Sequence, residues 1–485
     1  MDEATRAARR VAVAGLPAGL RQLEEWLMIP SVSGARAHRG DVLRAAQWVA
    51  RWLGRLTPLV EVVDAAGGPV VLARLGRGVP RPAAPLLVVY GHLDVKPAGP
   101  GWRTPPFRPV RQGLRLFARG ASDDKGQLFA HLLALRAWHR TGAFPGDVLV
   151  VVDGAEEVGS PGLDEALSRP GSRRLAVGRP VAVLVSDTRS AGPGRPSLTV
   201  TQRGMVSLRV VVDSGGPAVH AGRLGGAVVD PALVLARRLA GLARSVDALA
   251  SPCPATTDAR PDRDVAHAAG GRALRRDRLV ERTTRRGALT VTGLRCVGGP
   301  GAVPARAEAV LDVRVPPGVG PERATAVVRR DLGAGLPPPL RVEVRELGSA
   351  TGLCVALPTG VLSAVRRSCR DGYGVAPRLD GSGGSIPALG VLLRHFPAPP
   401  VLLGTGPADD HAHGPDEYLH VGDWARAVLT SVSLIRAMHT TSQWPGRVIV
   451  STNGSRLTRS EQVLRHGLSD APMGRATRGS PTPRT

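Results

Sequence analysis

Four short apolar runs, each closing on His, Asp or Glu, constrain this chain more than any other feature. They read "APLLVVYGH", "DVLVVVDGAEE", "PVAVLVSD" and, far downstream, "PPVLLGTGPADDHAH". Such runs are apolar throughout rather than alternating, the pattern of parallel strands buried on both faces. Ligands of open α/β sheets bind beyond the carboxyl ends of the strands, so the four polar ends are expected to converge on one site.

Around these runs the pattern changes twice. From Leu20 to Leu53 it predicts two amphipathic helices about a Pro-Ser turn. Between about 197 and 347 the order is strand-helix-strand-strand-helix-strand, the ferredoxin-like arrangement, read from "SLTVTQRGMVSLRVVVD", "VVDPALVLARRLAGLARS", "GALTVTGL", "ARAEAVLDVRV", "GPERATAVVRRDLGAG" and "LRVEVREL". It interrupts the first domain, because "VLLGTG" and its acidic-histidine cluster come after it. The expected division is a catalytic domain in two parts, 1–196 and 348–440, an insert at 197–347, and a disordered tail at 441–485 rich in Ser, Thr, Arg, Gly and Pro. Within the insert, 251–287 reads as a solvated loop with a short helix.

The formal charge of +24 raises nucleic acid as a partner, but the arginines are spread over the whole chain and aromatics make up only 3% of it. Without stacking platforms or a concentrated basic stripe, nucleic-acid binding is disfavoured. No CxxC spacing joins Cys253, Cys296, Cys354 and Cys369, which are expected to be buried or partly buried free thiols. The first residues lack the apolar core of a signal peptide, and no run reaches the ~18 apolar residues of a membrane span. A cytoplasmic location is expected.

The strand-end clusters carry metal-binding chemistry. His92 and Asp94 stand two apart, so they share a side, and a carboxylate there can orient the imidazole. Asp123 and Asp124 precede a helix beginning "KGQLF", more acid than an N-cap alone requires. Glu156 and Glu157 are adjacent, so one can ligate while the other stays free as a base. Asp187 ends its run, and His411 and His413 lie in the last cluster. Two Zn²⁺ set against Asp123, Asp187 and Glu157, with neutral His92 and His413 and a bridging hydroxide, balance in charge. Mixed histidine and carboxylate shells suit zinc, and manganese or cobalt would be accommodated.

Eight motifs, "GHLDVKP", "LFARGASDDKG", "DGAEEVGS", "VSDT", "VHAGRLGG", "VPARAEAVLDVRVPP", "GSGGSIP" and "DDHAHGPDE", occur in this order from about 20 to 440. In order and spacing the chain resembles the dinuclear-zinc peptidases that include carnosinases, bacterial dipeptidases, glutamate carboxypeptidases, aminoacylases and succinyl-diaminopimelate desuccinylase. "DDKG" and "GGSIP" look closest to the dipeptidase and carnosinase branch. The resemblance implies an α/β catalytic domain with a mixed, largely parallel sheet, interrupted by a ferredoxin-like α+β domain acting as lid and dimerisation surface. It implies two zinc ions per subunit, one on His92, Asp123 and Asp187, the other on Asp123, Glu157 and His413, with Asp123 bridging. Asp94 would support His92, Glu156 would be the general base, and His411 a bystander. His220 would reach the scissile carbonyl, Arg314 would bind the substrate carboxylate, and Ser385 with Gly384 would shape that carboxylate's loop.

The expected function is a metal-dependent hydrolase of dipeptides or short peptides with a free carboxylate. The alternatives are an N-acyl-amino-acid or succinyl-amine deacylase on the same centre, and a catalytically silent anion or nucleic-acid binder. A homodimer through the insert and no membrane partner are expected. Departures from the family pattern are Asp153 and Ala155 for glutamates, Ala118 for glycine, Asp416 for asparagine, and the absence of a histidine around "RELGSATGLCVAL", which argues against carnosine as the substrate. Only two lysines occur, Lys96 and Lys125. Lys125, beside the bridging Asp123, is expected to neutralise surplus carboxylate charge, and Lys96 is the less constrained of the two.

Overall fold

The computed structural model describes residues 1–76, 78–254, 257–258, 265 and 278–440. The tail expected to be disordered, 441–485, lies outside them, as does much of the 251–287 loop.

All four apolar runs become strands of one large mixed sheet. Its order is Val60–Val63, Val70–Leu75, Asp147–Asp153, Pro85–His92, Arg179–Val185, Pro400–Gly404, Ser197–Gln202 and Leu353–Cys354, with Arg378–Ser382 also paired to Ser197–Gln202. The four strands that carry the polar ends, Asp147–Asp153, Pro85–His92, Arg179–Val185 and Pro400–Gly404, pair in parallel at the centre, and antiparallel strands flank them. Every residue of Asp147–Asp153 is buried, as an all-apolar run between two helical layers requires.

Alternate residues of the same strands feed opposite cores. Val148, Val150 and Val152 face the layer containing Leu23, Trp26, Phe129, Leu132 and Ile435. Leu149 and Val151 face Leu163, Leu167, Leu389 and Leu392. The helix Lys125–Arg140 lies in the first layer with thirteen of its residues buried, so the apolar pattern seen in sequence is one side of an almost wholly enclosed element.

The first helix begins at Glu3, not near Leu20, and runs to Leu27. Its early turns bury Thr5, Ala8 and Ala12, small residues with too little apolar contrast to show periodicity, and Asp2 caps it by accepting from the Thr5 amide at 2.8 Å.

The inserted unit is a four-stranded antiparallel sheet in the order Ala288–Val297, Arg306–Val315, Gly204–Asp213, Arg341–Ala350. Helices Pro231–Asp247 and Pro321–Gly333 cover it, burying Leu235, Leu239, Val328 and Leu332 against Leu208, Val210 and Leu311. This is the ferredoxin-like order. The stretch read as one strand from Ser197 is two: Ser197–Gln202 belongs to the large sheet and Gly204–Asp213 to the small one. A Cβ at Gly204 would lie 2.6 Å from the Ala350 carbonyl oxygen and from the Gly352 nitrogen, so the two connecting segments pass each other where neither has a side chain.

Of the cysteines, Cys253 and Cys369 are buried and Cys354 is half-buried, within the expectation of buried or partly buried thiols, whereas Cys296 is exposed on the outer strand of the insert. Among the described residues, no helix is long and apolar enough to cross a membrane.

Candidate metal centre

The polar strand ends do converge. His92 closes its strand fully buried, with Nε2 3.1 Å from Asp123 Oδ1 and 4.0 Å from Asp187 Oδ1. The other carboxylate oxygen of Asp123 lies 3.0 Å from His413 Nε2, which is 3.3 Å from Glu157 Oε2. Two trios result, His92–Asp123–Asp187 and Asp123–Glu157–His413, each with its donor atoms within 4.8 Å of one another. They share Asp123.

Three of the five donor residues, His92, Asp123 and Glu157, are held by groups further out. The ring Nδ1 of His92 contacts the backbone carbonyl of Asp94 at 2.9 Å, so the support expected from the Asp94 carboxylate comes mainly from its main chain. That carboxylate, also buried, accepts from the amides of Glu156 at 3.1 Å and Glu157 at 3.0 Å. Asp94 therefore ties the Glu156–Glu157 turn to the His92 strand.

Sequence reasoning missed the residue that shapes the Asp123 loop. Glu417, fully buried, accepts from Arg119 Nη1 at 2.7 Å and from the amides of Gly120, Ser122 and Asp123 at 3.1, 2.9 and 3.0 Å. Burial, partly offset by Arg119, pushes its carboxyl up to about 7. Its signal lay in view: an acid four positions after His413 in "HAHGPDE" and an arginine four before Asp123. Asp410 ties the same loops, accepting from Ser122 Oγ at 2.7 Å and facing Arg189 Nε at 3.1 Å.

The departures in this region have local partners. Asp416 faces Arg103 Nε at 2.6 Å and accepts from its amide, so the carboxylate noted above as a departure is met by a guanidinium. Asp153 accepts from Tyr90 Oη at 3.2 Å and from the Ala155 amide. His411, His413 and Asp416 have φ of 56°, 65° and 58°, a left-handed backbone that non-glycine residues adopt at some cost and that here aims His413 inward. His411 stays exposed, against the Pro415 carbonyl.

Lys125 does not do what was expected of it. Its ammonium is buried and donates to the carbonyls of Trp26 and Ile29 at 3.1 and 2.9 Å, above the Trp26 ring. It caps the end of the first helix instead of meeting the carboxylates, and burial drops its pKa to about 7. Lys96 is the lysine at the site, 3.0 Å from Glu157 Oε2.

The electrostatics suit cations. Burial, reinforced by the charges of Glu157, Asp94 and Asp123 and opposed by His92, pushes the Glu156 carboxyl up to about 8. Burial and the Asp123 charge raise Asp187 as well, while contacts with Asp123 and Glu157 hold His413 up at about 10. Carboxylates so enclosed, with imidazoles as their neighbours, form the mixed oxygen and nitrogen donor set of a dinuclear divalent-metal centre. The residues present fit such a pair.

The residues assigned to substrate binding have local contacts. His220 is exposed and accepts from the Gly222 amide at 3.1 Å. Arg314 Nε lies 2.8 Å from Asp312 Oδ1. Ser385 Oγ donates to the Arg203 carbonyl at 2.7 Å, and the Gly384 amide donates to Ser382 Oγ at 3.1 Å. The Arg203 guanidinium donates to the carbonyls of Gly383 and Arg282, bracing this loop against the insert.

The model of peptidase family M20/M25/M40 matches residues 88–437. The chain is 25% identical over 459 residues to the Cys-Gly metallodipeptidase DUG1 of Candida albicans, covering 85% of this chain and 93% of that protein. It is 29% identical over 425 residues to the cysteinylglycine-S-conjugate dipeptidase of Corynebacterium striatum, covering 82% and 90%. The solved structure of the dipeptidase Dug1p from Saccharomyces cerevisiae superposes with a TM-score of 0.76 at 23% identity, over 90% of this chain and 99% of that one.

Proposed function

Because the chain belongs to peptidase family M20/M25/M40, we propose that it is a metal-dependent dipeptidase that cleaves the amide bond of dipeptides carrying a free carboxylate. One observation supports this reading above the others: two potential metal trios share Asp123, and beside them Glu156 is a buried carboxylate outside both. A protein that only stored metal has no use for that group. The relatives named above are all dipeptidases, two of them by name acting on cysteinylglycine or its conjugates, so dipeptides of that kind head the substrate list.

In this reading His92, Asp123 and Asp187 hold one zinc and Asp123, Glu157 and His413 the other, with manganese or cobalt as substitutes. Bound metal supplies carbonyl polarisation and a water acidified toward neutral pH. Glu156 takes the proton of the attacking water and returns it to the leaving amine. A carboxyl raised by burial is suited to both halves of that task. Asp94 keeps Glu156 in place through its amide. His220 donates to the carbonyl oxygen as charge develops there, and Arg314 receives the substrate carboxylate, with Ser385 and Gly384 shaping the adjoining loop. Closure of the insert toward the large sheet, pivoting near Gly204 and Gly352, brings these groups to the substrate.

We also assign a homodimer through the insert. The Ala288–Val297 strand lies at the edge of its sheet and exposes Val291, Leu294 and Val297, an edge that a second copy would cover. The four free thiols agree with a reducing, cytoplasmic setting.

The test is hydrolysis of a panel of dipeptides, including cysteinylglycine, and of N-acyl amino acids, by chelator-treated protein with and without added Zn²⁺ or Mn²⁺. Metal-dependent cleavage of dipeptides is the expected result. Turnover confined to the N-acyl substrates would convert the reading to a deacylase, and no turnover by folded, metal-loaded protein would overturn it.

A further inference from the structure

The two trios are unequal in their surroundings. His92 is sealed in the large sheet and oriented by the Asp94 carbonyl. His413 is 55% exposed, on a loop with left-handed backbone. The larger difference is Lys96. Its ammonium sits 3.0 Å from Glu157 Oε2, the same oxygen that faces His413 Nε2 at 3.3 Å, and it also donates to the Glu157 carbonyl. A cation entering between Glu157 and His413 therefore meets a fixed positive charge on one of its own ligand atoms.

Two effects of that contact oppose each other. An outer partner can orient a ligand and strengthen binding, whereas an ammonium drains electron density from the carboxylate and repels a dication. The Glu157 main chain is held from elsewhere, its amide donating to the Asp94 carboxylate at 3.0 Å, and its carboxylate has a second contact in His413 Nε2 at 3.3 Å, so Lys96 is not needed to place it. The repulsion is then the effect specific to Lys96. The chain's other lysine cannot take its place, because Lys125 is committed to the carbonyls of Trp26 and Ile29.

We propose that Lys96 lowers the metal affinity of the Asp123–Glu157–His413 position below that of His92–Asp123–Asp187, making the former the exchangeable member of the pair. The inference rests on the metal-centre reading above. It predicts an enzyme whose second metal equilibrates with the free ion while the first is retained.

The experiment is a titration of chelator-stripped full-length protein with Zn²⁺ against a competing chelator, read as bound metal by equilibrium dialysis. The wild type should show two steps of different affinity, and His413→Ala should remove the weaker one. Lys96→Gln should tighten the weaker step about tenfold, the order expected from removing one like charge a few ångströms from the ion, with little effect on the tighter step. Lys96→Arg, which keeps the charge, should behave as the wild type. Thermal melting of each variant confirms that it is folded. Two steps left unchanged or weakened by Lys96→Gln would overturn this inference and leave the metal centre standing. Absence of metal binding in every folded variant would overturn both.

Discussion

On the large sheet, His92, Asp123 and Glu157 are each fixed from behind: by the Asp94 carbonyl, by Glu417 and by the Asp94 carboxylate. On the insert, the contacts of His220 and Arg314 are with residues two positions away in their own segments. One half of the site is organised before any substrate arrives. The other, in the proposed reading, presents polar groups on a surface whose bonding closure or substrate would complete. That difference assigns a signature to each half: changes to the metal trios of the large-sheet half or to the groups that hold them should alter stability and metal retention together with rate, a change at Glu156, outside both trios, should alter rate alone, and changes on the insert should alter kinetics without loss of stability.

Glu156 tests the first half most severely, because it lies on the large sheet yet belongs to neither trio. Glu156→Ala should lower kcat by about 10³, within the ~10² to 10⁴ that a positioned acid-base group contributes, while bound metal stays at the wild-type level. A parallel loss of metal would make it a ligand and remove the base from the mechanism.

Glu417 separates support from chemistry. Glu417→Ala leaves the guanidinium of Arg119, 1% exposed, with backbone carbonyls but no carboxylate to balance its charge, and frees the amides of Gly120, Ser122 and Asp123. Breaking a buried pair by removing one member costs ~3 kcal/mol or more. Denaturant unfolding should show that loss, and metal retention should fall with it because the Asp123 loop is no longer held. Unchanged stability would show that the loop keeps its shape without this carboxylate.

Arg314 tests the other side of the comparison. Arg314→Ala should raise KM for a dipeptide by about thirtyfold, a cost of ~2 kcal/mol in the range of hydrogen bonds to charged groups, and should leave the melting temperature in place. Its contact with Asp312 is half-exposed and contributes little to stability. A variant that melts early with unchanged KM would place Arg314 in the structure of the insert instead.

These predictions depend on residues of very different legibility. The strand ends were readable because a fully buried parallel strand must be apolar throughout, so the polar residues that close it stand out. The ferredoxin-like order was readable from strands and helices of ordinary periodicity. The first seventeen residues of the opening helix were not, since alanines that pack closely have no apolar contrast. Nor was the break at Arg203–Gly204, where two extended segments are continuous in pattern and separate only because the backbones pass near Gly352. The partners of the two lysines could not be assigned from their neighbours in sequence. Lys125 is beside Asp123 along the chain, but its long stem carries the ammonium to the end of the first helix, and it is Lys96 that reaches Glu157.

The smallest effect comes from the interior of the large-sheet half. His131 is buried between Ser431 Oγ, 2.8 Å from Nδ1, and Ser186 Oγ, 2.8 Å from Nε2. Ser431 donates its own proton to the Ala427 carbonyl, so it accepts from Nδ1–H, and Nε2 is left to accept from Ser186. The neutral ring satisfies every partner, and burial pushes its pKa down from 6.5 to about 4. The sign follows from linkage: the unfolded chain takes up the proton first, so the stability this group contributes is present above the unfolded pKa and is lost as pH falls toward the folded one. Between about pH 7 and about pH 5.5 the loss is ~1 kcal/mol. Other buried acids titrate as well, so the measurement is the difference in urea unfolding between the wild type and His131→Gln across that range. The wild type should lose stability relative to the variant as pH falls. Parallel curves would mean that the helix Lys125–Arg140 and the end of the Asp187 strand are joined less rigidly than this hydrogen-bonded ring implies, and the contrast between a rigid half and an adaptable one would weaken accordingly.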